Sequence, residues 1–134
     1  MSGTCGIGPV DTHEPLAISN LFDNLYIEDA LQVGNRQSKS NGVGQTGIEN
    51  VFWATRGTGT VYSFNVANGY VIGTDPELIV VTKPLLGKRS IEDLALDTEP
   101  EDYSELLGKP VQPQSLYQDQ LQKRLQQKSP SAIR

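Results

Sequence analysis

The run Gly42-Val43-Gly44-Gln45-Thr46-Gly47 has the G-x-G-x-x-G spacing with which a glycine turn brings helix-terminal amides against a pyrophosphate. That chemistry needs a strand before the glycines and a helix after them. Polar residues precede this run, and Ile48-Glu49-Asn50-Val51-Phe52-Trp53, a strand-forming sequence, follows it. The glycines therefore read as a flexible loop, and no cofactor is expected. Cys5 and His13 have the chemistry of a nucleophile and its base, but both lie in a stretch rich in glycine and proline that offers no rigid support. They read as an ordinary thiol and a solvated imidazole. The adjacent acids Glu92-Asp93 and Glu101-Asp102 face opposite ways if extended, whereas paired catalytic carboxylates must converge across a cleft. Asp97, Glu99 and Glu101 alternate as cation ligands can, but Pro100 interrupts them and no glycine bend is near, so no metal site is expected. Phe52, Trp53, Tyr62, Phe64 and Tyr70 form an aromatic cluster of the kind that stacks on bases or sugars. Arg56 stands nearly alone as a cation among them, which favours packing of a small sheet over nucleic-acid binding. With no acid, base and nucleophile brought together, the chain reads as a non-enzyme.

The elements that hold these residues are bounded by the totals. A chain of 134 residues has room for one domain. Its one cysteine excludes an intrachain disulfide, and one histidine with one cysteine leaves too few soft ligands for a closed zinc site. A net charge of -5 argues against a nucleic-acid partner, since phosphate binding needs a clustered basic face. No apolar run reaches the length of a membrane span, and Met1-Ser2-Gly3-Thr4-Cys5-Gly6 carries neither the basic nor the apolar region of a leader. The expectation is a chain without membrane contact that stays in the cytoplasm.

Apolar residues concentrate between Ile48 and Leu86, and this stretch reads as mainly β. The expected architecture is a small antiparallel sheet or barrel-like body over 21–96. An extended N-terminal arm over 1–20 precedes it, and a Pro-rich C-terminal arm over 97–134 follows, ending in a short helix near 115–128. In the body, Leu25, Ile27, Leu31 and Val33 alternate with polar or small residues as one strand does. Asn68-Gly69 lies between two runs of β-formers and signals a hairpin, because such turns need positive φ. Tyr62, Phe64 and Val66 fall on one face of the middle strand and Ser63 and Asn65 on the other, so one side is expected to pack and the other to be wet. Leu78-Ile79-Val80-Val81 reads as a strand buried on both faces. The polar loop over 34–47 is long for a small domain and suits contact with a neighbour.

The flanks differ in charge. Residues 90–108 hold seven acids and no basic residue, whereas 110–134 hold one acid against Lys123, Arg124, Lys128 and Arg134. The two segments suit pairing between subunits. Tyr117, Leu121 and Leu125 recur at i+4 and give the expected helix a stripe one residue wide, too narrow for a free helix of this length in water. A partner groove is expected to complete it.

Over the whole chain this layout of arm, β body and arm resembles the small virion proteins of tailed bacteriophages, in particular capsid decoration or cement proteins. The resemblance implies a non-enzymatic structural protein, a trimer, located in the virion and assembled in the host cytoplasm. Its partners would be the major capsid protein or other virion subunits, clamped by the arms. The interface residues on this reading are Ile7, Pro9 and Leu16 in the first arm, Trp53 in the body, and Tyr103, Leu107, Tyr117, Leu121 and Leu125 in the second. A different reading is a soluble adaptor or inhibitor that binds one protein through a sheet edge beside Asn68-Gly69 or through the C-terminal helix. Arms needed for partner binding mark the first reading, and dispensable arms the second.

Overall fold

The computed structural model describes residues 3–5, 10–12, 18–34, 47–65, 68–82 and 102–128. Ten strands and one helix occur among them: β1 (Gly3–Cys5), β2 (Val10–Thr12), β3 (Leu21–Asp23), β4 (Leu25–Ile27), β5 (Ala30–Gly34), β6 (Val51–Gly57), β7 (Thr60–Phe64), β8 (Gly69–Thr74), β9 (Ile79–Val81), β10 (Asp102–Glu105) and α1 (Leu116–Lys128). The mainly β class and the C-terminal helix agree with the sequence. The antiparallel pairing does not, because every strand pair is parallel.

Parallel neighbours cannot be joined by a tight hairpin. Here the chain returns to each sheet by way of the other. The larger sheet runs β1-β4-β6-β8-β10, with β3 also on β6, and the smaller runs β2-β5-β7-β9. Each coil thus lays strand on the first sheet, turns a corner, lays strand on the second, and climbs one rung. This is a β-solenoid, in which a coil buries its apolar face only by stacking on its neighbours. The step between rungs is 30 residues from Leu21 to Val51, 19 from Val51 to Tyr70 and 33 from Tyr70 to Tyr103. The excess over the shortest step lies in the connections from β5 to β6 and from β9 to β10.

The corners stack as the strands do. Asn24, Ala54, Gly73 and Leu106 occupy one register position in successive rungs, and all four have φ between 51 and 70°. A left-handed residue inside an extended run turns the backbone, so the larger sheet is creased along this line, and β6 passes through the crease at Ala54. Ser19, Glu49 and Asn68 form a second line with φ between 48 and 53°. The hairpin read at Asn68-Gly69 is corrected by this geometry. Asn68 does adopt positive φ, but it opens a solenoid corner, and β7 and β8 lie in different sheets. The same local conformation serves both structures, and the sequence signal is blind to which strand comes next.

The interior is filled by aligned side chains. Phe22, Phe52 and Val71 share a register, with the two phenylalanine rings stacked at 4.7 Å, and Leu31, Val61 and Val80 share another. Leu25, Ile27, Val33 and Leu78 complete the core. The segment expected as one strand over 25–33 is two strands, β4 and β5, with a corner at Glu28-Asp29. Its alternating apolar residues are nevertheless the buried ones. The two-faced reading of β7 is overturned: Ser63, Phe64 and Asn65 are all fully buried, while Tyr62 is half-buried. The run 78–81 is buried only at Leu78, since β9 ends its sheet and leaves Ile79 57% exposed.

A polar ladder replaces apolar packing at one corner. Asn20, Asn50, Gly69 and Asp102 fall in one register, just before β3 and β6 and at the first residue of β8 and β10. Asn20 donates through its backbone N–H (3.1 Å) and Nδ2 (2.9 Å) to Asn50 Oδ1. Asn50 in turn donates through N–H (3.0 Å) and Nδ2 (2.9 Å) to Asn65 Oδ1. Gly69 leaves the rung empty, and Asn65 fills it from the end of β7: a Cβ on Gly69 would lie 2.2 Å from Asn65 Nδ2 and from Asp102 Oδ1. Asn65 N–H and Nδ2 and the Ser63 hydroxyl then donate to the Asp102 carboxylate at 3.0, 2.9 and 2.6 Å. Stacking identical amides at one rung spacing satisfies buried donors and acceptors without water.

Candidate functional site

The outer face of the creased sheet carries the features that invite contact. After β10 the chain does not continue the coil. Residues 106–115 run back along the crease as a strap, crossing the rungs in reverse order. Leu106 O accepts from Thr74 N–H (3.3 Å), and Gly108 N–H donates to Thr74 Oγ1 (2.9 Å). Val111 packs where Gly73 has no side chain, since a Cβ there would meet Val111 Cγ1 at 2.4 Å. One rung further back, Trp53 Nε1 donates to Pro113 O at 2.7 Å. At β3 the strap ends on Asp23.

Asp23 is only 2% exposed, and its carboxylate receives the start of α1. The Ser115 hydroxyl donates to Oδ2, Leu116 N–H to Oδ1 (2.9 Å) and Tyr117 N–H to Oδ2 (3.3 Å). Ser115 Oγ also accepts from Gln118 N–H, as an N-cap does. The first N–H groups of a helix lack intrahelical partners and carry partial positive charge, so a buried carboxylate both satisfies them and offsets its own desolvation. Asp119 and Lys123 pair at 2.7 Å one turn apart. The helix bounds match the expected 115–128 to one residue. The cap supplied by Asp23, 92 residues away from Ser115, leaves no trace in local sequence.

Two hollows flank this layer. One, of about 590 Å³, lies between the outer side of Ser19–Asp23 and Ser115, Tyr117 and Gln118 at the helix start. The other, of about 120 Å³, lies under the strap. Burial pushes the Asp102 carboxyl above its ordinary range, in opposition to the hydrogen bonds from Ser63 and Asn65, which lower it.

The expected interface residues divide into three groups. Ile7, Pro9 and Leu16 lie outside the described residues. Trp53 is half-buried and holds the strap. Tyr103, Leu107, Tyr117, Leu121 and Leu125 are exposed, at 56, 46, 60, 39 and 57%. Tyr103 and Leu107, with Leu106 at 44%, mark the β10 end of the strap, and Tyr103 stacks on Tyr70 at 5.5 Å. Tyr117, Leu121 and Leu125 make a stripe along α1. The two sets are separate patches, one beside Glu105 and one beside Arg124. The aromatic cluster of the body is dispersed: Phe52 and Phe64 are in the interior, and Tyr70 is outside. Residues 35–46, with all of the glycine motif but Gly47, and residues 83–101, with five of the seven acids, lie outside the described residues. Among those described, no three His, Cys, Asp or Glu side chains group as metal ligands, and no helix is long and apolar enough to cross a membrane.

A stack of parallel coils with a corner ladder, strapped on one face and ending in a surface helix, defines a β-solenoid unit. The chain belongs to the family described as Domain of unknown function (DUF4955), whose model matches residues 7–133. No curated relative and no solved structure matches it.

Proposed function

We propose that this chain is a non-enzymatic structural unit of a larger assembly, joined to neighbouring copies through α1. The observation that carries this reading is the pair of exposed apolar patches. The α1 stripe of Tyr117, Leu121 and Leu125 is flanked by Arg124, and the patch of Tyr103, Leu106 and Leu107 is flanked by Glu105 and Lys109. Apolar surface gains by leaving water, and Glu105 of one copy can meet Arg124 of the next at the rim of the contact. The two patches are different surfaces of one chain, so a contact between them is head-to-tail between copies. Such contacts close into rings or extend as filaments. The trimer that the resemblance to decoration proteins implies is one closed form.

The narrower form of the proposal places the chain on a tailed-phage capsid as a decoration protein, with the major capsid protein as partner. It rests on layout alone, and co-sedimentation of the purified chain with capsid shells tests it. The general form is tested by complementation in analytical ultracentrifugation. Leu121→Gln with Leu125→Gln disables one patch, and Leu106→Gln with Leu107→Gln the other. Each double variant alone should sediment as a monomer, and an equimolar mixture should give a dimer and nothing larger. A wild-type chain that stays monomeric at high concentration, or a mixture that does not associate, removes the self-assembly reading. Retained α1 contact with a different protein would then favour an adaptor.

A further inference from the structure

We infer that copies of this chain stack end to end, with the β10 half-turn of one copy seated in the hollow beside β3 of the next. The inference rests on the self-assembly reading and specifies how its two patches come together. The hollow, of about 590 Å³, lies against β3 and the start of α1, with Tyr117 and Gln118 in its wall. It is lined by Phe22 from the inner face of β3, by Leu21 and Asp23 from the outer face, and by no residue of β6. It therefore runs along the edge of β3 away from β6. Among the described residues, β1 lies under β4, beginning opposite Leu25, and no strand lies under β3. At this end the described stack is short of half a turn.

The other end carries the matching half. β10 takes on β8 the register that β3 takes on β6, with Tyr103 in the column of Leu21 and Ser104 in that of Phe22. The chain then leaves the coil, and among the described residues no strand covers the far side of β10. Ser104 holds the position that points inward at Phe22, Phe52 and Val71, yet it is exposed. An inward position open to solvent marks an uncapped end, and a stack of repeats gains by covering it. A second copy supplies that cover because its own coils continue the same register. Tyr103, stacked on Tyr70 at 5.5 Å and 56% exposed, meets Tyr117 across the hollow. The side chains around the hollow are uncharged apart from Asp23, whose carboxylate is taken up by the start of α1. Tyr103 and Ser104 suit that lining, and Glu105 stays at the rim. The fit asks no hydrogen bond of Leu21, which is engaged within its own chain. Such a contact is heterologous and extends as a filament.

The test combines sedimentation with hydrogen exchange on the full chain. Wild-type protein should form a growing series of species as concentration rises, with slowed exchange at 19–23 and 102–105 in the associated state. Gln118→Trp fills the hollow from its exposed wall and should weaken association about tenfold or more, with the melting temperature of the monomer unchanged. Gln126→Trp, exposed further along α1 and outside the hollow, should associate as the wild type does. Association of Gln118→Trp at wild-type strength, or unchanged exchange at 19–23 on assembly, overturns end-on stacking. If Leu121→Gln with Leu125→Gln still blocks assembly in that case, the self-assembly reading stands without it. A wild-type chain that stops at a closed trimer likewise overturns the stacking and keeps the reading. A wild-type chain that is monomeric at every concentration removes both.

Discussion

In the coils, Asn50 is fully buried and joins its rung to the rungs on both sides through hydrogen bonds donated and accepted by one side chain. Along the strap, the contacts are few and come one after another: Thr74 meets Leu106 and Gly108, Gly73 meets Val111, Trp53 meets Pro113, and Asp23 meets the start of α1. The coils therefore resist change as one cooperative body, while the strap can be released contact by contact. The difference follows from dielectric and from redundancy. Buried amides have no water to fall back on, whereas the strap's bonds lie near solvent.

Substitutions can break this contrast at either end. The largest effect is expected at Gly57, where φ is 118° and a Cβ would sit 2.1 Å from the Ile27 carbonyl oxygen of the rung below. Gly57→Ala should cost about 4 kcal/mol or prevent folding, read from urea unfolding. Asn50→Ala should cost about 3 kcal/mol, because it strands two donors of Asn20 and leaves Asn65 Oδ1 with only the backbone N–H of residue 50. A loss below about 1 kcal/mol there would mean that the amide column is ornamental and the apolar core alone sets the stack.

Asp102 lies where the two regimes meet, at the last rung before the strap. Asp102→Ala should cost about 2 kcal/mol through three stranded donors. Its pH dependence has a definite sign. The folded-state pKa lies above the unfolded one, so the native chain binds the proton more tightly. The contribution to stability is complete below the unfolded pKa and is lost as pH rises through the folded one. Urea midpoints taken from pH 7 down to 4 should therefore contain an acid-favoured component that Asp102→Asn lacks. Trp53→Phe removes one strap bond and should cost about 1 kcal/mol, with faster hydrogen exchange over 110–118 and little change at β5 or β7. Exchange that quickens equally in coils and strap would show that the strap is part of the cooperative unit. Leu121→Gln should alter monomer stability by no more than about 0.5 kcal/mol.

Local features of the fold were readable and directional ones were not. Strand composition, the buried alternation of Leu25, Ile27, Leu31 and Val33, and the helix over 115–128 follow from short-range pattern. Strand direction does not, because Asn68 with positive φ fits a hairpin and a solenoid corner equally. Ser63 and Asn65 looked wet because polar residues on a strand usually are. Their partners, Asp102 and Asn50, stand 39 and 15 residues away from Ser63 and Asn65 respectively. A recurrence was nevertheless present: Asn20 and Asn50 each precede an apolar strand by one position, at the spacing of one rung. The site residues split in the same way. Exposed apolar residues on a helix are visible from periodicity, whereas the pairing of Asp23 with Ser115 and the sharing of one hollow by Leu21 and Tyr117 exist only after the strap folds back.

The unequal steps between rungs have a consequence for how such a chain can change. The added lengths enter between the smaller sheet and the next first strand, and the ladder residues Asn50 and Asp102 lie after that point. Each ladder residue thus resets the reading frame of the stack after the longer step. Step length and rung alignment are accordingly separate properties of this fold, the first set by the chain between the sheets and the second by the ladder.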